Sequence, residues 1–131
     1  MKRVFITGGA GFIGSRICMR LVEDHEICIY DNLYRNSLPG TGLLEHPNIE
    51  LVRGNVLDDW SLRRAITKVD PNVVIHLAAM AGIHNVQNNP IRTMDVNIRG
   101  TSNLLHLISC HTDELDRFVN FSSSEVFGVY A

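Results

Sequence analysis

This sequence has little excess of charge, no long apolar run and no pairing of cysteines, and each shortage removes a class of function. Twelve lysines and arginines stand against 14 aspartates and glutamates, a net charge of −2. That balance offers no electrostatic footprint for nucleic acid or for an anionic membrane. No apolar stretch approaches the roughly 18 residues that cross a bilayer. The three cysteines, Cys18, Cys28 and Cys110, are scattered and odd in number. They suit buried thiols of a reducing compartment, not a disulfide framework. Strand-like sequence begins already at Val4, with no signal peptide before it, so a cytoplasmic location is expected. There is no internal repeat, low-complexity run or interdomain linker. A chain of 131 residues is enough for one domain with a core, spanning residues 1–131.

What is present starts at the N-terminus. Short apolar runs recur at Arg3–Ile6, Glu26–Tyr30, Ile49–Arg53, Val73–Leu77 and Arg117–Phe121. Most are β-branched and nearly continuous, as in parallel strands buried on both faces. Helical stripes lie between them. Ile13, Ile17 and Leu21 sit four apart, beside Cys18 and Val22. Leu62, Ala65, Ile66 and Val69 form a second stripe. A third segment runs from Pro90, a good first helical residue, to about Cys110, with Met94, Ile98, Leu104, Leu105 and Ile108. Leu33–Pro47 reads as a loop with at most a short helix. Strands alternating with helices predict an α/β fold: a Rossmann-type parallel sheet of five strands flanked by helices. Such folds normally continue to a sixth strand, so the C-terminal part of the fold is expected to lie beyond these residues.

Between the first strand and the first helix stands Thr7-Gly8-Gly9-Ala10-Gly11-Phe12-Ile13-Gly14. Three glycines spaced by three make a phosphate-binding turn. Gly8 permits the sharp reversal, Gly11 lets a pyrophosphate reach the backbone, and Gly14 lets the helix pack close. The helix N-terminus then favours the anion. Asp31 follows Gly14 by 17 residues, at the end of the second strand. Its carboxylate suits both ribose hydroxyls of an adenosine and repels a 2′-phosphate, which favours NAD over NADP.

Other residues carry weaker signals. Asp58, after the third strand, either caps the next helix or meets an adenine amino group. Leu77, Ala78 and Ala79 are small or apolar residues at the tip of the fourth strand, where a cofactor can lie. His76 before them reads as a satisfied core histidine. Ser122, Ser123, Ser124 and Glu125 follow the fifth strand, either as a turn or as hydroxyls facing the ligand crevice. His106 and Cys110 share a helical face, but no second cluster completes a tetrahedral site, so no metal is expected. His111 suits a helix C-terminus.

Together these pieces resemble the extended short-chain dehydrogenase/reductase family, in its nucleotide-sugar epimerase, dehydratase and decarboxylase branch. The matching motifs are TGGAGFIG at Thr7–Gly14, DNL at Asp31–Leu33 and GNVLD at Gly54–Asp58. HLAAMAG at His76–Gly82, NIRGT at Asn97–Thr101 and FSSSEVFG at Phe121–Gly128 complete the order. The resemblance implies an NAD site built from Gly8, Gly11, Phe12, Ile13, Gly14, Asp31, Asn32, Val56, Leu57, Asp58, Leu77, Ala78, Ala79, Asn97 and Ser122. It implies that Ser123 hydrogen-bonds the sugar 4-hydroxyl during hydride transfer, with Ser124 and Glu125 near the substrate.

The resemblance also implies a nucleotide-sugar substrate, a homodimer for the full-length protein, and an NAD-dependent epimerase that removes and returns hydride at sugar C4. A UDP-glucuronate decarboxylase or a 4,6-dehydratase of the same family is the first alternative. A non-catalytic NAD-binding module is the second. The 4,6-dehydratases carry an Asp-Glu pair where Ser124-Glu125 stands, which disfavours dehydration, and the Ser-Glu-Val sequence is similar to that of the decarboxylases. Gly54 is followed by Asn55 where Asp is usual, and Met80 replaces a polar residue. The family's base is a Tyr followed four positions later by a Lys. The lysines here are Lys2 and Lys68, and neither completes that pair. The base and the sugar-binding region are therefore expected outside this sequence.

Overall fold

The computed structural model describes residues 1–111, 114–123, 126 and 128. Its strands are β1 (Arg3–Thr7), β2 (Glu26–Asp31), β3 (Ile49–Arg53), β4 (Val73–His76) and β5 (Arg117–Asn120). All pair in parallel, in the order β3-β2-β1-β4-β5. The helices are α1 (Phe12–Leu21), α2 (Asp59–Val69), α3 (Ile83–Asn88), α4 (Pro90–Met94) and α5 (Gly100–His111). A single π turn, Asp95–Arg99, joins α4 to α5. The expected Rossmann-type sheet is present, with each strand boundary within one residue of its expected place. The order of strands reverses at β1, so the crevice between the carboxyl ends of β1 and β4 is where a ligand belongs in such a sheet.

Alternation along the strands builds two cores. Phe5, Cys28, Tyr30 and Val74 face Leu62, Ala65 and Ile66 of α2 and Leu104, Leu107 and Ile108 of α5. Val4, Ile6, Ile27, Ile29 and Ile75 face the opposite layer, with Cys18 of α1 and Val22 just beyond it. Because both faces are covered, the central strands are apolar throughout, which is why they read as continuous runs.

One expectation holds and two need correction. The segment 33–47 contains only a 3₁₀ turn, Leu43–Glu45, yet Leu38 and Leu43 are buried in the second core. The long helical segment does not present one stripe. Leu104 and Ile108 are buried, whereas Met94, Ile98 and Leu105 are exposed. Leu104 and Ile108 sit four apart on the buried face of α5, and Leu105, one residue on from Leu104, falls outside that face. Ile13, expected on the apolar face of α1, is also exposed, while Cys18 supplies that contact.

Candidate functional site

The glycine turn is built by backbone geometry. Gly8 has φ +72°, and a Cβ there would lie 2.6 Å from Ala78 N and 2.8 Å from Leu77 C. The residue therefore serves a left-handed turn and a close passage under the tip of β4. A Cβ on Gly14 would collide with Gly8 O and lie 2.6 Å from Gly9 Cα. Gly11 differs. A Cβ there would meet only Gly8 O, at 3.3 Å, so its outer side is open. Gly11 is the N-cap of α1 and brings no side-chain cap. The first N–H groups of that helix have no intrahelical partners. Phe12 and Ile13, in the first turn of that helix, have exposed side chains.

Asp31 closes the turn from the neighbouring strand. Its Oδ2 accepts from Ala10 N at 3.0 Å and its Oδ1 from Leu33 N at 2.8 Å. The residue is buried, at 8 % exposure. Each carboxylate oxygen keeps further acceptor capacity. Asn32 Oδ1 accepts from Tyr34 N. At the next strand end Gly54 N donates to the main-chain oxygen of Asp31 at 2.9 Å, and Gly54 leaves the space that the Tyr30 ring fills.

These parts line one cleft of about 330 Å³. Gly8, Gly11, Asp31, Asn32, Val56, Leu77, Ala78 and Ala79 are all brought to it from the expected set. Phe12, Ile13, Gly14, Leu57, Asp58 and Asn97 lie outside its lining. Asp58 is the N-cap of α2 and accepts from Ser61 N at 3.1 Å. Asn97, in the π turn, accepts from Met80 N at 2.8 Å and donates to Met80 O at 3.0 Å. It holds the wall from behind. Ser122 and Ser123 are exposed just past β5, beside Phe121, whose N donates to His76 O at 3.1 Å. Ser124 and Glu125 lie outside the described residues.

The cleft also takes residues that sequence reasoning missed: Tyr34, Arg35, Asn85, Asn89 and Arg92. Arg35 and Arg92 come from separate elements, and nothing local in the sequence foretells their meeting. His76 is buried, and that burial pushes its imidazole pKa down to about 4. Burial likewise pushes the Cys18 and Cys28 thiols up to about 12. Among the described residues, no group of three or more His, Cys, Asp or Glu side chains could hold a metal ion. Among them too, no helix is long and apolar enough to cross a membrane.

A parallel sheet with its cleft at the β1/β4 reversal, floored by a glycine turn and edged by Asp31, defines a Rossmann-type nucleotide-binding fold. The family model described as GDP-mannose 4,6 dehydratase matches residues 5–131, and the chain belongs to that family of nucleotide-sugar epimerases and dehydratases. It is 34 % identical to a dTDP-D-glucose 4,6-dehydratase of Dictyostelium discoideum, over 98 % of this chain and 30 % of that protein. It is 35 % identical to UDP-glucuronic acid decarboxylase 1 of Danio rerio, over 97 % of this chain and 28 % of that one. Among solved structures, UDP-glucose 4-epimerase from Brucella ovis in complex with NAD superposes with a TM-score of 0.84 at 28 % identity. That match covers 98 % of this chain and 38 % of the epimerase. The chain thus spans about a third of the length of these relatives.

Proposed function

We propose that residues 1–131 form the NAD-binding domain of a nucleotide-sugar 4-epimerase. The observation that carries this reading is the joint lining of one cleft by Gly11, open where a pyrophosphate would approach, and by Asp31, whose carboxylate edges it. The donor set fits the dinucleotide. Backbone N–H groups at the start of α1 suit the pyrophosphate, Asp31 and Asn32 the adenosine ribose, and Val56 the adenine side. Leu77, Ala78 and Ala79 give a wall without bulk for the nicotinamide half. NAD, when bound, supplies the hydride acceptor and donor for the sugar C4 carbon. Solved relatives that hold NAD support this choice.

Ser123 then orients the sugar 4-hydroxyl, Ser122 borders the cofactor, and Ser124 and Glu125 contact the substrate. The hydroxyl proton needs a base, and no Tyr-x-x-x-Lys stands within these residues. In this reading the base comes from elsewhere in the whole enzyme. The second reading, a UDP-glucuronate decarboxylase, is favoured by Ser123-Ser124-Glu125-Val126 and by the decarboxylase relative. The test is to express the complete gene product and incubate it with UDP-glucose, UDP-N-acetylglucosamine and UDP-glucuronate. Equilibration of a sugar with its C4 epimer, without net NADH, supports the epimerase. Carbon dioxide release from UDP-glucuronate supports the decarboxylase, and no turnover of any nucleotide sugar leaves a binding module.

A further inference from the structure

His76 sits between two threonines at the switch point of the sheet. Its Nδ1 lies 2.6 Å from Thr7 Oγ1 and its Nε2 lies 3.0 Å from Thr101 Oγ1. Both hydroxyls have second partners, and these fix the direction of every bond. Thr101 donates its single hydroxyl proton to Asn97 O at 2.8 Å. Toward His76 it can only accept, so Nε2 carries the ring proton. Nδ1 is then bare and accepts from Thr7, whose oxygen in turn accepts from Ala78 N at 3.3 Å. The result is one directional chain: Ala78 N–H to Thr7, Thr7 to His76, His76 to Thr101, Thr101 to Asn97 O. The side chain of Asn97 then grips both backbone groups of Met80.

Each end of that chain reaches the cleft wall, since Ala78, Ala79 and Met80 all line the cleft. We propose that His76 is a positioning residue for the cofactor site: in its Nε2–H form it ties the end of β1 to the π turn and so fixes the Ala78–Met80 wall. Apolar packing alone would not need this arrangement. A leucine fills a buried strand position at no polar cost, whereas a buried imidazole needs both nitrogens satisfied. Burial, by pushing the imidazole pKa down to about 4, keeps the ring in the neutral form on which the direction depends. The inference rests on the NAD reading for its functional part and on the hydrogen bonds alone for its structural part.

The experiment separates the two. Long-range proton–nitrogen NMR on ¹⁵N-histidine-labelled chain reads the tautomer. Backbone amide spectra then compare Thr101→Val, which removes the hydroxyl at nearly constant shape, with Thr101→Ser, which keeps it. NAD is titrated into each variant well below its melting temperature, so loss of fold is excluded. The expected result is an Nε2–H ring, displaced Ala78–Met80 amide signals in Thr101→Val, and about tenfold weaker NAD binding. Thr101→Ser restores both. An Nδ1–H ring overturns the proposal. So does a folded Thr101→Val whose wall signals and NAD affinity match the unmodified chain. Displaced wall signals in a chain that binds no NAD keep the positioning role and overturn the cofactor reading instead.

Discussion

The carboxylate of Asp31 accepts a hydrogen bond from the backbone N–H of Ala10 at 3.0 Å, tying the end of β2 to the middle of the glycine turn. The same side chain accepts from Leu33 N. Asp31 therefore holds the turn in shape while it edges the cleft, so its replacement has two consequences. Asp31→Ala leaves buried backbone donors without a partner, a cost of about 1–3 kcal/mol in stability. In the proposed site it also weakens NAD by a similar amount and narrows the gap to NADP. Thermal melts and calorimetric titration of the variant separate the two effects. Unchanged affinity with lowered stability would confine Asp31 to the fold.

Gly11 and Gly14 differ in the space around them, and their variants should differ too. Gly11→Val places a branched side chain on the open side of the turn, where only Gly8 O is near. The fold should survive and NAD binding should be lost. Gly14→Ala drives a methyl group into Gly8 and Gly9, and overpacking of that kind costs about 1–3 kcal/mol. Melting curves beside NAD titrations check both. A folded Gly11→Val that binds NAD normally would show that the turn serves packing alone.

His76 makes the fold acid-sensitive in a defined window. Its pKa is lowered by burial to about 4, against about 6.5 for an unperturbed histidine. Between these values the unfolded chain binds the proton and the folded chain does not. Stability therefore rises with pH through the window and is fully present above about 6.5. The shift corresponds to on the order of 3 kcal/mol. Denaturant unfolding from pH 4 to pH 7 measures it. His76→Gln, which does not titrate, should flatten that slope. An unchanged slope would assign it to other groups.

The thiols offer a check on the core. Cys18 and Cys28 are buried, one in each core, and burial pushes both thiols up to about 12. Cys110 is exposed on α5. A thiol reagent at neutral pH should label one cysteine rapidly in the native chain and all three in denaturant. Rapid native labelling of Cys18 or Cys28 would contradict the packing of α1 or of β2.

Most of the sheet was legible because strands buried on both faces leave continuous apolar runs, and the glycine turn was legible because its chemistry is local. Asp31 was readable from its distance to Gly14. The π turn was not, since Asp95-Val96-Asn97-Ile98-Arg99 carries no signal that separates it from ordinary helix. It carries Asn97, whose side chain bonds both backbone groups of Met80. Tyr34, Arg35, Asn85, Asn89 and Arg92 were missed because the segment after β2 and the α3–α4 region, distant in the chain, bring them together only in the folded cleft. His76 was read correctly as a buried, satisfied histidine. Its place at the centre of a chain of hydrogen bonds depends on Thr7 and Thr101, 69 and 25 residues away.

Titration of the purified 131-residue chain with NAD and with NADP decides whether it carries an NAD site. Saturable binding of one NAD per chain is expected. NADP binding should be at least about tenfold weaker, because its 2′-phosphate would face the Asp31 carboxylate. Failure to bind NAD, or equal affinity for the two dinucleotides, would contradict the NAD assignment.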